Sequence, residues 1–117
     1  MKQQKINWHI TKTLIFLGIL PSTAGYKYIK EIIYLYIDYD ILKLSDAYSI
    51  IAKNFSQTPE LIAASVRNAL KSANNKNLNN KLEILMNTKI FNKNDNVTNG
   101  EFFGLMSTYL KYCWDGN

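Results

Sequence analysis

Apolar residues in this chain recur at intervals of three and four, not two, and its five glycines and two prolines fall mostly between the periodic blocks. That spacing gathers apolar side chains along one side of an α-helix and would scatter them over both faces of a strand. The pattern predicts an all-α protein of about six helices packed as a compact single-domain bundle. A chain of 117 residues is long enough for one core and too short for two. With 47% hydrophobic and 20% charged residues it has the composition of a chain that folds.

The first helix is predicted from about Asn7 to Leu17, with Ile10, Leu14 and Leu17 along one face and a stop at Gly18-Ile19-Leu20-Pro21. A second, capped by Ser22 or Thr23, runs from about Ala24 to Leu42 with Tyr28, Ile32, Leu35 and Tyr39 as its stripe. Tyr36 falls near that stripe, so this tyrosine-rich helix reads as core packing. Ser45 with Asp46 is expected to cap a third helix, Ala47 to Asn54, whose inner face holds Tyr48, Ile51, Ala52 and Phe55.

The strongest helix start in the chain is Thr58-Pro59-Glu60. Threonine offers a hydroxyl acceptor to the free N–H groups of a first turn, and proline at the first helical position gives up an N–H that would be unpaired anyway. From Pro59 to about Ala73, Ile62, Val66, Ala69, Leu70 and Ala73 share one face, while Ala63, Ala64, Arg67, Asn68 and Lys71 occupy the opposite one. The Asn- and Lys-rich stretch from Asn74 to Asn80 predicts a stop and an exposed loop or irregular turn. A short helix near Lys81 to Thr88, a polar loop from Asn92 to Asn99 and a last helix after Thr98 or Asn99 complete the series. The last keeps Phe102, Leu105, Met106, Tyr109, Leu110 and Cys113 on one face. Residues 1–9 read as an N-terminal extension and the start of the first helix, and residues 10–117 as the domain proper.

Several chemistries lack their residues. Cys113 is the only cysteine and His9 the only histidine, so there is no intrachain disulfide, no metal-ligand set and no nucleophile with its base. Asp38 and Asp40, two apart on a helix, point to nearly opposite sides and cannot share a proton. An enzyme, a cofactor and a small-molecule substrate are not expected. Lys2 and Lys5 ahead of the apolar run Leu14 to Leu20 imitate a signal peptide, but the run ends at Pro21 and passes into a patterned helix. It is far short of the roughly 20 apolar residues of a membrane span, so a cytoplasmic protein without a membrane partner is expected. Fourteen Lys and Arg against nine Asp and Glu give a net charge of +5, which suits a nucleic-acid partner without specifying one.

Two short helices joined by a tight turn, Ala47 to Phe55 and Pro59 to Ala73, have the form of a helix-turn-helix, and also that of any helical hairpin. Three blocks add to it: Gly25-Tyr26-Lys27-Tyr28-Ile29-Lys30-Glu31; Ile51-Ala52-Lys53-Asn54-Phe55 with Thr58 and Arg67; and Thr98-Asn99-Gly100-Glu101-Phe102. In order and separation they resemble the C-terminal DNA-binding domain of the sporulation initiation response regulator, the stage-zero sporulation protein A family. The resemblance implies a six-helix fold whose fourth helix reads double-stranded DNA, with two copies bound in tandem on a direct repeat. Full-length members carry an N-terminal phosphoacceptor receiver domain, for which this sequence has no room, so control by phosphorylation in cis is not expected.

Where the family places a Glu and an Arg side by side as base-contacting residues, this sequence has Ala63 and Ala64, and where it places Arg and His, this sequence has Arg67 and Asn68. Arg67 suits guanine and Asn68 adenine, each pair worth about 1–3 kcal/mol of discrimination, while the alanines offer only methyl contacts. A target site different from the family's follows. Thr58, Lys53, Lys71, Lys76 and Lys93 are the expected phosphate contacts. The two alanines also fit an alternative: an interaction module that keeps the fold, has lost DNA reading and antagonises a full-length relative.

Overall fold

The computed structural model describes residues 2–39 and 42–113, and among them there are six α-helices and no strand. They are α1 (Lys2–Phe16), α2 (Tyr26–Asp38), α3 (Leu44–Phe55), α4 (Pro59–Asn74), α5 (Leu78–Met86) and α6 (Asn99–Thr108), the last running into a π-helical turn, Tyr109–Cys113. Asp40 and the side chain of Cys113 lie outside the described residues.

The first helix starts five residues before the expected Asn7, at Lys2. Its core face is the predicted one, with Ile10, Leu14 and Leu17 fully buried, and Ile6 packs against the core and adds a turn. Gly18 ends it at φ +90, where Gly18 N–H donates to the Ile15 carbonyl and Ile19 N–H to the Leu14 carbonyl. This paired closure needs a left-handed residue, which glycine supplies without a Cβ clash.

Helix α2 is shorter than predicted and lacks the predicted cap. Its capping residue is Gly25, which has no side chain to offer, while the Thr23 hydroxyl accepts from Leu20 N–H instead. It ends at Asp38, and Tyr39 turns extended and is 54% exposed, so Tyr39 is not part of the stripe. The buried residues are Tyr28, Ile29, Ile32 and Ile33. Because α2 packs against α3, α4 and α6 together, it buries a broader arc than a one-sided stripe supplies. Tyr36 does pack, stacking on Phe103 at 5.9 Å.

Ser45 and Asp46 do not cap α3. The helix begins a turn earlier, behind Lys43, and Asp46 sits in its first turn, where a carboxylate suits the helix dipole. Leu44 packs on the core and accounts for the added turn. Ala47, Ile51 and Ala52 are buried, and Tyr48 and Phe55 are half-buried. Of the two forms expected for Asn74 to Asn80 the structure has the turn, and a shorter one: α4 runs to Asn74, three turn residues follow, and α5 starts at Leu78. Leu78 and Leu82, both fully buried, sit one turn apart and extend this short helix toward the N-terminus.

Candidate nucleic-acid interface

Helices α3 and α4 are joined by Ser56, Gln57 and Thr58. Ser56 closes α3 in the left-handed region, φ 54, with its N–H on the Lys53 carbonyl and Gln57 N–H on the Ala52 carbonyl. Thr58 opens α4: its hydroxyl accepts from Leu61 N–H at 3.1 Å, with Pro59 directly behind it. Two locally determined ends thus fix the angle of the helix pair, as a helix-turn-helix requires.

Across α4 the division between faces is clean. Ile62, Val66, Ala69, Leu70 and Ala73 are buried, whereas Arg67, Asn68 and Lys71 are exposed and Ala63 and Ala64 half-buried. At 100° per residue, Ala64, Asn68 and Lys71 form the centre of the outward face, with Arg67 beside Lys71 on one flank and Ala63 inside it. Glu60 and Leu61 are exposed on the first turn, so the face is polar and mixed at its start and basic further along.

The flank carrying Arg67 borders a shallow groove of about 480 Å³ lined by Arg67, Lys71, Asn74, Asn96, Thr98 and Asn99 among others. Lys93 lines a neighbouring groove that shares Asn74 and Asn96 with the first. Lys53 is exposed in the last turn of α3. Lys76, past the end of α4, has its aliphatic stem beside Gly18. Of the five phosphate candidates, Lys71 is thus brought together with Arg67, while Thr58, Lys53, Lys76 and Lys93 are spread around the ends of α3 and α4.

One wall of this region comes from α6. Thr98 and Glu101 form a reciprocal capping box: the Thr98 hydroxyl accepts from Glu101 N–H, and the Glu101 carboxylate accepts from Thr98 N–H. Asn99, the first helical residue, reaches back. Its Nδ2 donates to the Tyr48 hydroxyl at 2.8 Å and to the Ala63 carbonyl at 3.3 Å. Burial pushes the Tyr48 hydroxyl above its ordinary value, and the Asn99 donor and the Arg67 charge pull the other way. The Thr-x-x-Glu spacing signals a capping box in the sequence, but which side chain that box aims at α3 and α4 is a tertiary fact.

Gly25 explains how closely α2 approaches α4. A Cβ there would lie 2.5 Å from the Ser65 carbonyl oxygen and 3.2 Å from the Ala69 Cβ. Among the described residues no group of His, Cys, Asp and Glu is placed to hold a metal ion, and no helix is long and apolar enough to cross a membrane.

The family described as Sporulation initiation factor Spo0A C terminal matches residues 10–110. No curated protein and no solved structure matches the chain.

Proposed function

Since the chain belongs to the family of sporulation initiation factor Spo0A C-terminal domains, which are DNA-binding effector domains of transcription control, we propose that it binds duplex DNA with the outward face of α4 in the major groove. The observation that carries this reading is the exposed Arg67, Asn68 and Lys71 on the second helix of a rigidly capped pair. In this reading Arg67 and Asn68 contact base edges, Ala63 and Ala64 supply methyl contacts, and Thr58, Lys53, Lys71, Lys76 and Lys93 meet phosphates. The absence of larger side chains at Ala63 and Ala64 gives a preferred site different from that of the family, read with weaker specificity. Two copies bind side by side on a direct repeat, and the protein acts in the cytoplasm, where the DNA is.

Selection of bound sequences from a random duplex pool, followed by salt-titrated mobility shifts, tests this. An enriched sequence is expected, with Arg67→Ala relaxing preference at one base position at a cost of about 1–3 kcal/mol. No enrichment, together with an Arg67→Ala protein that binds as the parent does, refutes it.

A further inference from the structure

The block Thr98-Asn99-Gly100-Glu101-Phe102 lies outside the helix pair, yet its second residue touches both members of that pair. Asn99 donates to Tyr48 on α3 and to the Ala63 carbonyl on α4 from one amide nitrogen. In an α-helix the carbonyl of residue 63 is also the acceptor for the N–H of residue 67. The tie therefore falls on the turn of α4 that presents Arg67. Tyr48 stands close enough to Arg67 for the guanidinium to bear on its ionisation.

We propose that Asn99 is a positioning residue for sequence reading: held by the Thr98–Glu101 capping box, it fixes the Arg67 turn of α4 against α3 and sets the direction in which the guanidinium is offered. This rests on the reading of α4 as the base-contacting helix. Three features support it. The capping box holds the backbone on both sides of Asn99, since the Thr98 and Glu101 N–H groups are each bonded to the other's side chain. Both acceptors lie in half-buried surroundings, where a hydrogen bond counts for more than it does in water. The tie also joins segments 36 and 51 residues apart, which local helix geometry cannot orient.

The test compares Asn99→Ala, Asn99→Asp and Tyr48→Phe with the parent on the selected duplex and on random duplex, at a temperature where circular dichroism shows each variant folded. Asn99→Ala is expected to lower the ratio of selected to random affinity about tenfold with the salt slope unchanged, because no phosphate contact is lost. Asn99→Asp loses at least as much, since a carboxylate cannot donate to the Ala63 carbonyl. Tyr48→Phe loses less, because the bond to Ala63 survives. In the Arg67→Ala background, Asn99→Ala should add little to the loss of discrimination, a non-additivity that a purely structural residue does not produce.

Without DNA, the titration of Tyr48 followed by NMR of ring-labelled tyrosine should move upward in Asn99→Ala, as the donor that favours the phenolate is removed. A Tyr48 whose titration and ring chemical shifts are both unmoved in Asn99→Ala overturns the tie itself. Retained discrimination in Asn99→Ala, while Arg67→Ala loses it, overturns only the positioning role. Arg67→Ala binding like the parent overturns the reading of α4 instead.

Discussion

Replacing Gly25 with alanine adds a single carbon at the tightest contact between α2 and α4. The backbone there, φ −86 and ψ −3, is one that alanine adopts freely, so any cost comes from space and not from dihedral strain. The added Cβ would lie 2.5 Å from the Ser65 carbonyl oxygen and 3.0 Å from its carbonyl carbon. Ordinary contact begins near 3.5 Å, so α2 and α4 must part by about 1 Å. The obstacle is backbone in the middle of a helix and cannot swing aside as a flexible side chain would. Overpacking of this kind costs about 1–3 kcal/mol, and the loss of unfolded-state freedom on going from glycine to alanine returns about 0.4–1 kcal/mol.

A net destabilisation of about 1–2 kcal/mol is therefore expected for Gly25→Ala. Gly104→Ala is its control: it lies inside α6 with nothing within 4 Å of the added carbon, so it should gain about 0.5–1 kcal/mol. Urea denaturation at constant m reads both values directly, and the two melting temperatures should differ by roughly 10 °C. Since α4 carries the base-contacting face in the proposed function, Gly25→Ala should also weaken binding to the selected duplex at temperatures where it is fully folded. A Gly25→Ala protein as stable as the parent, or two variants shifted alike, would refute the close-approach argument.

Other perturbations isolate single features. Thr58→Ala removes the acceptor for Leu61 N–H and should cost about 1 kcal/mol in denaturation, while Thr58→Ser retains most of it. Phe102→Ala empties a fully buried aromatic site and should cost about 3–5 kcal/mol by the same measurement. Lys71→Ala should weaken selected and random duplex alike and reduce the slope of log affinity against log salt by about 1. The Glu83 carboxylate accepts from Phe91 and Ile90 N–H, each at 2.8 Å, with Lys89 nearby, and these hold its folded-state value below the ordinary 4.5. A lowered folded value means a contribution complete above the unfolded carboxylate range and lost as pH falls through the folded value. Stability measured from neutral pH downward should therefore drop less steeply in Glu83→Gln.

What the sequence made legible was mostly what neighbouring residues decide. Thr58 and Pro59 announce the start of α4 because cap and first turn interact across only three residues, and Gly18 announces the end of α1 for the same reason. The buried face of α4 could be read in full, since one side of that helix meets the core. The failures have the opposite origin. Ser45 looked like a cap, but core packing by Leu44 starts the helix one residue before it. Tyr39 continued the period of α2, yet the helix had already ended.

Ser56, Asn77, Asn87 and Asn94 take left-handed backbone without being glycine, so these turns lacked the usual marker. In the candidate site, the outward position of Arg67, Asn68 and Lys71 followed from period alone. The tie from Asn99 to Tyr48 and Ala63, and the need for Gly25, arise between segments distant in sequence and carry no local signature.

Asn99 is followed by Gly100, which has open space around it. Asparagine before glycine is the pairing most prone to ring closure and loss of ammonia, a reaction that needs the amide carbon to meet the next backbone nitrogen in a non-helical geometry. Here the amide is engaged twice and the segment is capped, so conversion must wait until that helix end frays. The slow gain of one mass unit at Asn99 on storage thus becomes a clock for how often the end opens, and an aged sample, carrying acid in place of amide, is expected under the role proposed for Asn99 to lose fidelity before it loses its fold.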